Sequence, residues 1–266
     1  MIGNLEIKQA AALQLFSPEP LHVLLIGSQE SGKNEIMNTV KEISDHVYGT
    51  PEDGVCIIIK DKKIFPGLLR RAGNSLCIVK NLTRLRKDDE VILYRTLETG
   101  YVAYNTKLGR KRHPVAGSIL ADVTPREPTD DNKNILPLDP HLVSKFHIAF
   151  LVKQASLQSF SEIAEKLILE HKITIRKNDM DFIKKYARFA KTAPVEIPPD
   201  LAERIKEFAV KLKEEREPSL PYKISPQLVV GIVRMVQASA RMELRNLVNA
   251  TDLDRVFRIY EKAMKL

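Results

Sequence analysis

The sequence predicts an α/β core with a mainly parallel, five-stranded sheet, followed by an all-helical domain, and three observations predict it. Up to about residue 155 short apolar runs alternate with helical stretches, the order that lays helices against a parallel sheet. From about residue 156 the strand signals stop and apolar residues recur at helical spacing. Prolines at Pro194, Pro198, Pro199, Pro218, Pro221 and Pro226 then cut that region into separate helices. Two domains follow, 1–155 and 156–266.

In chain order, Leu5–Phe16 reads as a helix leading into the first strand, Leu21–Ile26. A loop and a helix over Asn34–Ile43 come next. The runs Gly54–Ile59, Leu76–Val79, Ser118–Val123 and Phe146–Val152 supply the other four buried strands. Helices are expected over Phe160–Leu169, Phe182–Ala190, Leu201–Leu212, Leu228–Met242 and Leu253–Met264. The last is expected to be capped at Thr251, with Asp252 and Asp254 at its positive end.

Composition narrows the function classes. With 266 residues, 44% hydrophobic and 29% charged, the chain can bury a core, which excludes wholesale disorder. No run approaches the roughly 18 apolar residues of a membrane span, and Met1–Pro20 lacks the sections of a signal peptide. An intracellular protein with no membrane partner is expected, cytoplasmic or nucleoid-associated, or nuclear in a eukaryote. Cys56 and Cys77 sit inside apolar runs and read as buried thiols. The six histidines show no ligand spacing, so no metal site is expected. The net charge of +8 is concentrated: Lys60–Arg112 holds 14 basic and 5 acidic residues. Such an excess suits a polyanion such as nucleic acid, and a solvated face is the alternative.

Gly27-Ser28-Gln29-Glu30-Ser31-Gly32-Lys33-Asn34 follows an apolar strand and precedes a helix, the context of a phosphate-binding loop. Backbone amides with Gly27, Ser28, Gly32 and Lys33 would face phosphates. Asn34 stands where a hydroxyl normally helps to hold magnesium, and Glu30 puts a carboxylate where an anion should dock.

From this point the chain resembles the AAA+ P-loop domain of the minichromosome maintenance (MCM) replicative helicases over nearly its full length. The resemblance is carried by IGNLEIKQAAALQLF, LHVLLIGSQESGK, VKNLTRLRKDDEVILYRTLETGYVAYNTK, SILADVTP, NILPLDPHLVSKFHIAFLV and ISPQLVVGIVRMVQASARM, in family order. It implies an AAA+ core with a helical lid. It also implies where catalytic groups should stand, and there the sequence departs from the family. The Asp-Glu pair that serves magnesium and the attacking water falls on Lys80 and Asn81. An ammonium about 4 Å from a divalent ion is repelled by about 8 kcal/mol at an effective dielectric near 20, and an amide is a poor base. The phosphate-sensing Asn becomes Thr124, the arginine finger becomes Lys145, and the lid arginine becomes Gln227. Loss of an arginine finger alone typically slows turnover by about 10³- to 10⁵-fold. Asp88, Asp89 and Glu90 are the alternative carboxylates, though they are expected to open the next helix.

The family's DNA-gripping hairpin corresponds to Tyr101–Val115, with Lys107, Arg110, Lys111 and Arg112 around Leu108-Gly109. These four cations can hold phosphates without chemistry. A second hairpin is expected to be short, near Lys60–Pro66. The reading is a pseudo-ATPase acting in DNA replication or repair. It would bind DNA, or pair with an active MCM subunit or another replication protein, with weak ATP binding, no magnesium and no closed homo-hexamer. The alternatives are a weak ATPase or helicase subunit that completes its site with a partner, and an interaction module that binds neither nucleotide nor DNA.

Overall fold

The computed structural model describes residues 4–61, 63–106, 109–125, 136–152, 161, 165 and 177–264. Five strands, β1 (Val23–Gly27), β2 (His46–Gly49), β5 (Leu76–Val79), β8 (Ile119–Val123) and β9 (Ile148–Val152), form one sheet in the order β2-β5-β8-β1-β9. Every pairing is parallel. Strands β1, β5 and β8 are buried throughout, which is why they read as unbroken apolar runs. Alternation still operates: Val23 and Leu25 join one core, Leu24 and Ile26 the other.

The sheet has the expected number of strands but not the expected five. The Gly54–Ile59 run does not enter it. Its second half forms β3 (Ile57–Lys60), which pairs antiparallel with β4 (Lys63–Pro66) in a separate two-stranded hairpin. The fifth sheet strand is β2, an edge strand only partly buried. Four residues reading His-Val-Tyr-Gly carry no apolar run to mark the strand. A second hairpin pairs β6 (Tyr101–Thr106) with β7 (Gly109–Pro114).

On one face lie α1 (Leu5–Phe16), α2 (Lys33–Ile43) and the carboxy-terminal helices, and on the other α3 (Leu68–Ala72), α4 (Lys87–Thr99) and α5 (Pro140–Val143). Helix α1 is buried on most sides, and its Gln14 amide donates to the carbonyls of Leu21 and Ile119 at 2.5 and 2.8 Å. Asp88, Asp89 and Glu90 do occupy the first turn of α4, where carboxylates favour the helix dipole.

The carboxy-terminal helices are α6 (Lys177–Ala190), α7 (Pro199–Arg216), α8 (Gln227–Met242) and α9 (Ala250–Ala263). The helix expected over Phe160–Leu169 lies almost wholly outside the described residues. Helix α9 is capped by Asn249 rather than Thr251: the Asn249 side chain accepts from the Asp252 N–H at 3.1 Å, and the Asp252 carboxylate accepts from the Asn249 N–H at 2.9 Å. This reciprocal box satisfies two free donors and leaves the Thr251 hydroxyl to donate to Asn249 at 2.7 Å. Asp252 is fully buried, grips Arg245 through two bonds of 2.8 and 2.9 Å, and is held below the usual carboxylate range against the opposing effect of burial. No helix among the described residues is long and apolar enough to cross a membrane.

Candidate functional site

In a parallel sheet the carboxyl ends of all strands share one edge, and ligands of α/β proteins dock there. Gly27 ends β1, Lys80 and Asn81 follow β5, and Thr124 follows β8, so the structure brings these positions to that edge. Gly27 is required by space: a Cβ would lie 2.4 Å from the Val152 carbonyl oxygen and 2.9 Å from Ser31 Oγ. Gly32 is required by conformation, since it caps α2 with φ 83° in the left-handed region. Asn34 is half-buried in the first turn of α2.

Lys33 is 2% exposed. Its ammonium donates to the carbonyls of Gly27 and Ser28, the second at 2.5 Å, with Ser31 Oγ at 3.4 Å. The cation that should meet phosphate is thus spent on its own loop. Burial pulls its pKa down, and the nearby Asp122 carboxylate opposes that shift. Ser28 Oγ is buried without a partner among the described residues.

Asp122 is the residue that the sequence reading missed. It lies in the middle strand β8, 5% exposed, paired in register with Leu25 of β1. One of its oxygens accepts the Asn81 backbone N–H at 2.6 Å, which holds Asn81 in a left-handed conformation with φ 57°. Burial raises the carboxyl above the usual range; the Asn81 N–H, Lys33 and Lys80 pull it back in that order. The signal was available, because an Asp inside an otherwise apolar strand needs a cation or donors.

Thr124 is held at that edge, and Lys145 and Gln227 are held away from it. The Thr124 backbone N–H donates to Thr83 Oγ1 at 2.9 Å. Lys145 is turned onto its own α4, with its ammonium 2.7 Å from Glu98 and 4.7 Å from the centre of the Tyr94 ring. Gln227 opens α8, and its N–H donates to Ser225 Oγ at 3.3 Å. Among the described residues no hydrogen bond or ion pair links Lys145 or Gln227 to the phosphate loop. Cys56 and Cys77 are buried, with both thiols pushed up to about 12 by burial, so neither is a nucleophile at neutral pH.

A magnesium–nucleotide pair is what the resemblance implies here, and the donor set does not fit it. The end of β5 offers an ammonium and an amide, Asn34 offers a neutral side chain, and Asp122 is engaged by a backbone amide beside two cations. A divalent ion prefers hard anionic oxygens.

Of the four predicted DNA-binding cations, Lys107 lies outside the described residues. Arg110, Lys111 and Arg112 are exposed on β7, opposite Asn105, Tyr104 and Ala103. Pairing places Arg110 and Arg112 on one face and Lys111 on the other. Arg112 lies 5.0 Å over the Tyr101 ring, and Tyr104 is anchored by a 3.0 Å bond to His113. Exposed Arg70 of α3 is close enough to lower the His113 pKa, second to desolvation. The basic surface therefore extends beyond the hairpin. The shorter β3–β4 hairpin exposes Lys60, Lys63, Ile59 and Phe65, the last two 65% and 44% exposed.

Comparison with known proteins adds the following. Residues 181–264 match the MCM AAA-lid domain model. The chain is 23% identical to the minichromosome maintenance protein MCM of Saccharolobus solfataricus, over 97% of this chain and 42% of that protein. It is 24% identical to an uncharacterized MCM-type protein of Methanocaldococcus jannaschii, over 99% of this chain and 44% of that one. It is 21% identical to the DNA replication licensing factor MCM4 of Drosophila melanogaster, over 98% and 34%. The chain spans less than half the length of these curated relatives. Residues 181–264 thus match an MCM AAA-lid domain, and nearly the whole chain is similar, at low identity, to minichromosome maintenance proteins.

Proposed function

We propose that the chain serves DNA replication or repair as a pseudo-ATPase: an MCM-like factor that does not hydrolyse ATP and acts by binding DNA or a partner protein. The relationship to replication proteins supports the coarse role. One observation carries the finer reading. At the carboxyl end of β5, Lys80 and Asn81 stand where metal-holding and water-orienting carboxylates belong, and the nearby carboxylate, Asp122, is bound to the Asn81 backbone.

With no carboxylate at the end of β5 to hold a metal, the pocket lacks the electrostatic stabilisation that phosphoryl transfer rests on. Lys145, bound to Glu98, is not free to act as a finger in a neighbouring site, which weighs against a closed homo-hexamer. The exposed cations Arg110, Lys111 and Arg112, with Arg70 nearby, are assigned to nucleic-acid phosphates. An active MCM subunit or another replication protein is the assigned protein partner, and the lid is taken to begin near residue 156.

The test is calorimetric titration of the chain with ATP, with and without magnesium. The proposal expects weak binding or none, with no gain on adding magnesium. Tight magnesium-dependent binding would favour the second reading, an ATPase subunit whose metal is served by Asp122.

A further inference from the structure

A cleft of about 500 Å³ opens where the α5 segment meets the turn between α7 and α8. Nothing in the proposed function uses it, and its volume is that of a ligand site. Pro140, His141 and Ser144 form one wall; the facing wall comes from Lys213 and the Glu217–Lys223 turn. The walls are tied together, since Ser225 Oγ donates to the Ser144 carbonyl at 2.6 Å.

Three features give the cleft a chemistry. Lys213 and Lys223 are exposed, and among the described residues neither ammonium has an ion pair or hydrogen bond. Glu217 accepts the Ile224 N–H at 2.9 Å and keeps its negative charge, so Lys213 and Lys223 leave the lining with one positive charge in excess. Tyr222 is 9% exposed and lines the cleft, and its hydroxyl has no hydrogen-bond partner among the described residues. Pro218 and Pro221 add apolar surface between the charges.

We propose that this cleft binds an acidic, extended peptide segment of a partner protein. Its carboxylates meet Lys213 and Lys223, an apolar side chain packs on Pro218 and Pro221, and an oxygen accepts from Tyr222. Charge selects the sign of the ligand. The proline walls, and an excess of only one positive charge in the lining, disfavour a phosphodiester backbone, which needs continuous positive charge.

The experiment is fluorescence anisotropy on the full chain with dye-labelled acetyl-Asp-Glu-Phe-Glu-Asp-amide. Saturable, salt-sensitive binding is expected. Lys213→Ala with Lys223→Ala should weaken it about tenfold, and Tyr222→Phe about threefold, without lowering the thermal midpoint. Both lysines are exposed, so their loss leaves the fold intact. No binding, binding indifferent to these substitutions, or equal binding of a lysine-for-acid peptide would overturn the proposal. Displacement at matched concentration by phenylacetate would assign the cleft to a small organic acid, and displacement by oligothymidylate to DNA; either would overturn it too.

Discussion

Asp122 puts a buried carboxylate on β8, one strand away from the end of β5 that carries Lys80 and Asn81. The pair beyond Val79 and Ala121 in the β5–β8 register is Lys80 and Asp122, so an amine at the end of one strand stands beside an acid on the next. Asp122 answers Lys33 and Lys80 internally, and an incoming anion would meet its charge. Asp122→Asn keeps an acceptor for the Asn81 N–H and removes that charge. We expect the variant to bind inorganic pyrophosphate about tenfold more tightly than the parent in magnesium-free titration, roughly 1.4 kcal/mol. Unchanged affinity would mean that Asp122 does not guard the loop. Lys80, Asn81, Thr124, Lys145 and Gln227 were singled out from the sequence because the family resemblance suggests where each motif falls. Asp122 was not, because no motif names it and its meaning depends on the strand register.

Among the elements, those with strong local signals and the two hairpins suggested by the resemblance were found, whereas β2 and the place of Ile57–Lys60 outside the sheet were not foreseen. The runs at Leu21–Ile26 and Leu76–Val79 are buried on both faces, so their apolar character alone announces them. The triple isoleucine of Ile57–Lys60 sends the same signal, yet it forms an outlying hairpin with Ile59 65% exposed. Strand β2 is recognisable only once β5 lies beside it. The same limit applied at α9, where Asn249 and Thr251 are both competent caps, and the reciprocal bond to Asp252 selects Asn249. The β6–β7 hairpin carries a prediction of its own. If its cations meet phosphates, the triple variant Arg110→Ala, Lys111→Ala, Arg112→Ala should lower the slope of log affinity for single-stranded DNA against log salt by about 2 to 3. An equal slope for parent and variant would remove the hairpin from the interface.

Across the whole molecule, the edge opposite the phosphate loop is closed by a buried histidine pair. His22 precedes β1 and His147 precedes β9. The His22 N–H donates to His147 Nδ1 at 2.9 Å, and the Ile119 N–H donates to His22 Nδ1 at 3.2 Å. Arg234 of α8 lies 3.0 Å from His147 Nε2 and bonds Glu19 at 2.8 Å, while Tyr260 of α9 donates to the His147 carbonyl at 3.1 Å. Burial, reinforced by Arg234, lowers His22 to about 3; burial, then His22 and Arg234, hold His147 well below its ordinary value. The unfolded chain takes up these protons near pH 6.5 and the folded chain does not. Stability is therefore intact above that pH and falls as pH drops below it, by up to about 1.4 kcal/mol per pH unit for each histidine. Urea unfolding at intervals from pH 7 to pH 5 should show this decline before the carboxylates titrate. A flat profile would contradict a neutral pair that joins the sheet to the lid helices.

The site at the other edge decides the function, and phosphate release from ATP measures it most directly. With magnesium, and with or without single-stranded DNA, the purified chain should release phosphate no faster than its own Lys33→Ala variant. Magnesium-dependent release by the parent that disappears in Lys33→Ala would contradict the account.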